Sequence, residues 1–172
     1  TPYSGGSDIN IFDTNVVLDT SRKVIENVRD LLGACRGYLP FVGGKYNLII
    51  ETTGSASITL NEDDIIGGFT LASPNKNNKY NRVIVSFVNP DRNFQVDQAQ
   101  FPPIDDSGLT SADRHATMKT ADGGFLLEGR FDFPTITSFY QAEEMAEIIL
   151  RRSREALALE LQVSFSAYEL AI

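Results

Sequence analysis

The sequence holds 172 residues, 42% of them apolar and 22% charged, with a formal net charge of −8, one cysteine and one histidine. A chain this long buries roughly 70% of its unfolded surface, enough for one domain with a smaller lobe and no covalent staples. One cysteine excludes an internal disulfide and a cysteine-rich zinc site, no run reaches the ~20 apolar residues of a membrane helix, and the acidic balance argues against general nucleic-acid affinity.

In chain order, residues 1–19 read as an extended lead-in, flexible at Thr1–Gly6 and then β-prone at Ile9–Phe12 and Val16–Leu18. Opening on Thr1 with no recognisable signal peptide, the chain reads as a domain excised or processed from a longer protein. Asp19, Thr20 or Ser21 is placed to cap a helix that runs to about Arg36. Its apolar residues Val24, Val28, Leu31, Leu32 and Cys35 share one helical face, which makes Cys35 a buried structural thiol, and Gly37 is the expected stop. Two β-prone runs, Gly37–Val42 and Lys45–Ile50, flank Gly43-Gly44 and predict a tight hairpin, with Pro40 marking an edge strand.

A short strand is expected at 55–60, a turn or single helical turn at Asn61–Asp64, and a strand from Ile65 to Ala72 with a bulge at Gly67-Gly68. Pro74–Lys79 is a polar loop. Arg82–Val88 alternates Val83, Val85 and Phe87 against Arg82, Ile84 and Ser86 as a half-buried strand, and 93–100 continues it after a turn at Asn89-Pro90-Asp91. From Phe101 to Gly124 periodicity disappears, which predicts a long loop. A strand then runs from Phe125 to Phe133 and stops at Pro134. Ser138 and Gln141 have capping-box spacing for a helix over 138–154, with Ala142, Met145, Ala146, Ile149 and Leu150 as its buried stripe. Strict alternation from Leu157 to Ala167 predicts a long final strand. The expected fold is α+β: a mostly antiparallel sheet or partial barrel with two packed helices, divided into the 1–19 lead-in, a helix-plus-hairpin lobe at 20–62 and a β domain at 63–172.

The residues of catalysis are missing. There is no Gly-x-Ser-x-Gly elbow, no phosphate loop ending in Gly-Lys-Ser/Thr and no histidine-rich metal set, so no catalytic, cofactor or metal residue is assigned. Glu62-Asp63-Asp64 and Asp105-Asp106 have the residue type for a carboxylate pair or a calcium loop, but adjacent acids lack alternating ligand spacing and read as solvated or capping groups. His115 lies in an irregular stretch away from Cys35, and Arg82 beside aromatic residues reads as an ion-pairing or capping residue. The charge of −8 suits a solubilised surface, and equally a surface past which DNA slides without adsorbing.

Tyr80-Asn81-Arg82-Val83, the alternating strand, Asn89-Pro90 and Asn93-Phe94 closely resemble the family of phage tail proteins that contains the tip attachment protein of lambda-like phages and the baseplate central hubs. Leu31–Leu39 with its Gly-Gly hairpin, Glu62–Gly68 and Ala142–Arg154 agree in order and spacing, so the resemblance extends over about residues 20–165. It implies a non-enzymatic virion component at the tail tip, trimeric in the full-length protein, that forms the distal tail tube and a platform for receptor-binding regions. The implied partners are copies of itself and other tail proteins, with DNA passing unbound, assembly in the cytoplasm and a prophage as one source. Tyr80, Asn81, Arg82, Asn89, Pro90, Asn93 and Phe94 would be structural motif residues. The alternatives are a host-surface carbohydrate- or protein-binding module using 101–124, and a cell-wall hydrolase.

Overall fold

The computed structural model describes residues 12–51, 59–72, 78–155 and 157–164. Ile9–Ile11, residues 55–58, Pro74–Asn77, and Phe165 and Ala167 therefore lie outside the described residues, and Thr59 and Leu60 are irregular. The fold is α+β, with helices α1 (Val24–Cys35), α2 (His115–Ala121) and α3 (Phe139–Glu155). Its strands are β1 (Gly37–Tyr38), β2 (Phe41–Val42), β3 (Lys45–Tyr46), β4 (Ile49–Ile50), β5 (Ile65–Ala72), β6 (Arg82–Asn89), β7 (Gln95–Phe101), β8 (Glu128–Asp132) and β9 (Ala158–Val163).

The core gathers on β6. Val83, Val85 and Phe87 are buried on one face, Ala99 and Phe101 of β7 lie beside them, and α3 covers both strands with Ala142, Met145, Ala146 and Leu150. β6 is the central strand of a three-stranded sheet, antiparallel to β7 from Val83↔Phe101 to Asn89↔Gln95 and parallel to β8 from Arg82↔Glu128 to Ser86↔Asp132. All other pairings are antiparallel two-stranded ribbons, and no barrel closes among the described residues.

The third helix corrects the long-loop expectation for 101–124. Seven residues are too few for helical periodicity to stand out, yet α2 buries Met118 in the core. Three local expectations are also corrected. Lys23 precedes α1 without a side-chain cap, while Asp19 instead accepts bonds from the Ser21 amide and hydroxyl at 2.8 and 2.6 Å. The left-handed residue that ends α1 is Arg36 (φ 52°), not Gly37, whose missing Cβ leaves room for Cys35 and Leu32, 3.0 and 3.1 Å from where it would stand. Gln141 sends its amide to the Ala34 carbonyl at 3.2 Å rather than back to Ser138, and so ties α3 to the buried end of α1.

The Gly43-Gly44 turn has φ of 61° and 80° and pairs Val42 with Lys45 and Phe41 with Tyr46, as its hairpin chemistry requires. The expected bulge is present in β5: Gly67 has φ 107°, and the register against β9 shifts between Ile65 and Phe69. Asn61–Asp64 forms a single 3-10 turn closed by a capping box.

Candidate interaction surfaces

The acidic runs build turns. Asp64 accepts from the Asn61 amide at 3.0 Å, Asp105 from the Ser107 amide at 3.0 Å and Asp106 from the His115 amide at 3.4 Å. The Ser107 bonds hold Asp105 below the usual carboxylate range, which favours the ionised carboxylate. Burial first, then the charges of Arg82 and Lys119, pushes His115 down, and its Nε2 is buried without a partner. Cys35 is half-buried rather than buried, its thiol directed at the Leu32 carbonyl at 3.5 Å. Among the described residues no group of three or more His, Cys, Asp or Glu side chains is placed to hold a metal.

The motif residues fall into two clusters at opposite ends of β6. At its start, Asn81 is fully buried, its Nδ2 donating to the Phe125 carbonyl at 2.8 Å and its Oδ1 accepting from the Leu127 amide at 2.9 Å. These bonds substitute for a strand partner at 125–127, which is why β8 begins at Glu128 and not at Phe125. Tyr80 packs edge-on against Phe131, and its carbonyl accepts from Arg154 at 3.0 Å. Arg82 forms no ion pair among the described residues and buries Nε without an acceptor, contrary to the expected ion-pairing or capping role. At the far end, Asn89 accepts from the Asp91 amide at 2.9 Å and donates to Asp97 at 2.9 Å. Pro90 opens a 3-10 turn there, closed by Asn93 and Phe94 in left-handed conformation (φ 54° and 58°).

Beside Asn81 lies a polar knot that local sequence patterns did not reveal. Asp122, with 2% of its side chain exposed, pairs with Arg154 and with Lys79, both at 2.7 Å, and accepts from Asn81 at 3.2 Å. Burial, the largest influence, would raise the Asp122 carboxyl; the bonds from Arg154, Lys79 and Asn81 together outweigh it and hold the group at about 2. With every partner satisfied, this knot locks α3 to the start of β6.

Three apolar surfaces are bare among the described residues. On the β5–β9 ribbon, the facing pairs Phe69↔Leu161 and Leu71↔Leu159 put four apolar side chains on one side, while Thr70↔Glu160 occupies the other. Phe69 is 67% exposed and Leu159 55%, although a two-stranded ribbon is marginal in water unless its apolar face is covered. Between α1 (Val28, Leu32), the hairpin lobe (Tyr38, Tyr46) and α3 (Met145, Ile149) runs an open groove of about 560 Å³. At the β6–β7 turn, Phe94 and Val96 project at 69% and 71% exposure.

The fold thus defines an α+β module whose candidate sites, among the described residues, are exposed apolar surfaces. No family model matches the chain. It is 26% identical over 155 residues to the baseplate hub protein pb3 of Escherichia phage T5, covering 90% of this chain. The chain spans about 15% of the length of that relative.

Proposed function

We propose that the chain is a structural part of a phage tail baseplate, a segment of its central hub, and not an enzyme. The observation that carries this reading is the likeness to a hub protein along nearly the whole chain. The bare apolar face of the β5–β9 ribbon supports it, since an assembling scaffold must leave unsatisfied the surfaces its neighbours cover. Within the same reading the full-length protein is a trimer at the tail tip, as in the tip attachment proteins of lambda-like phages. There it extends the tail tube and carries receptor-binding regions contributed by other parts of the protein. The net charge of −8 fits a surface that DNA passes without adsorbing.

Labelling of intact tails with antibody to this chain tests the reading. The label is expected at the distal end of the tail, with a reconstruction placing copies around the tail axis. Label along the tail shaft, on the capsid or nowhere on the particle would refute it. Peptidoglycan turnover that disappears in Asp63→Ala or Asp105→Ala would replace it with a hydrolase.

A further inference from the structure

Phe94 adopts a left-handed backbone (φ 58°) that strains an ordinary L residue, and asparagine or glycine meets that demand more cheaply. Its ring is 69% exposed, so packing within the chain returns little of that cost. Two residues on, Val96 is equally bare, and the Asp91 carboxylate at the same turn has no ion-pair partner among the described residues. Arg92, by contrast, is neutralised by Asp97 at 3.4 Å. The turn is therefore a small apolar knob carrying one free negative charge.

The groove has the opposite character. Its apolar walls are bordered by Arg29, Arg36 and Arg152 against the single carboxylate Glu51, which pairs with Arg152. Arg29 has no ion pair among the described residues, and Arg36 lies over the Phe12 ring at 5.3 Å. In a chain of net charge −8 this is a local excess of positive charge around an apolar cleft.

We propose that the β6–β7 turn of one copy, with Phe94, Val96 and Asp91, docks into the arginine-bordered groove of a second copy. Shape favours this over a ribbon in the groove, since a projecting knob fills a cleft whereas a flat apolar strip suits another flat face. The charges match: Asp91 meets Arg29 and Arg36, and burial of the Phe94 ring offsets its backbone strain. Because knob and groove are different patches, the contact is head-to-tail, and it closes into a ring of three copies where its rotation matches the trimer of that reading. The inference rests on the assembly reading above and names the surface through which copies meet.

The full chain is tested in solution. Two populations lacking Cys35 (Cys35→Ser), one carrying Val96→Cys and the other Ile25→Cys on the groove wall, are mixed and mildly oxidised; a disulfide-linked dimer of one copy of each is expected. By sedimentation, Phe94→Asn, which keeps the turn's backbone, should weaken self-association about tenfold or more with no loss of Tm. Asp91→Arg and Arg29→Glu should each weaken it, and the two charge reversals combined should restore it. No mixed disulfide, no self-association of the wild-type chain, or an unaffected Phe94→Asn variant overturns the proposal. Tail labelling separates the two readings: label at the tail end with failed pairing removes only this contact, whereas intact pairing with unlabelled particles removes only the baseplate role.

Discussion

Asp122 is held by one side chain from α3, one from the segment before β6 and one from Asn81, so its role is invisible in any local window. Arg154 stands 32 residues away and Asn81 41. Its folded-state carboxyl lies at about 2 against 3.8 when free. A depressed carboxyl stabilises the fold above the unfolded value, and that contribution is lost as pH falls from about 4 towards 2. The difference corresponds to about 2 kcal/mol. Acid titration of stability should therefore steepen below pH 4 in the wild type and flatten over that interval in Asp122→Asn. At neutral pH the same substitution should cost about 3 kcal/mol, because Arg154 and Lys79 lose their counter-ion in a half-closed site; a urea midpoint unchanged at constant slope would refute this. Asn81 differs, since the sequence singles it out within a motif but not the reason. Asn81→Ala strands the Leu127 amide and the Phe125 carbonyl, with an expected loss of about 2–3 kcal/mol in chemical denaturation.

At the scale of elements, long regular patterns are legible in the sequence and short or unpaired ones are not. Ala142, Met145, Ala146 and Leu150 of the α3 stripe are buried as their spacing requires, because a seventeen-residue helix repeats its face several times, while Ile149 is only half-buried beside the open groove. The stripe of α1 was legible too, yet Val24 is 78% exposed, for periodicity identifies a face without saying whether anything covers it. The same holds for β9, whose alternation is plain while the apolar face it shares with β5 is bare. Backbone amides of the β5–β9 ribbon should exchange with solvent much faster than those of β6 in the isolated chain, and become protected on assembly. Equal protection of β5 and β6 in isolation would show that the ribbon needs no partner. At the β6–β7 turn, Phe94→Asn should leave stability unchanged or raise it by up to about 1 kcal/mol in thermal melts, through relief of the left-handed strain.

For the whole molecule, the exposed ribbon, groove and knob are the surfaces that neighbours would cover under the proposed assembly. An interface bordered by arginines and an aspartate is weakened by salt, so association of the chain should fall on raising ionic strength from 0.05 to about 0.5 M. A purely apolar contact would hold or tighten instead, which sedimentation at the two ionic strengths distinguishes. The sequence by itself determined the α+β class, α1, α3, the Gly-Gly hairpin, the bulge at Gly67 and the absence of familiar catalytic motifs, because each depends on residues within a few positions of one another. Only the tertiary structure decided the parallel pairing of β6 with β8, the meeting of Asp122 with Arg154 and Lys79, the helix that buries Met118, and which apolar faces are left open. Those features depend on segments tens of residues apart, and a linear pattern carries no record of which distant segment arrives to cover a face.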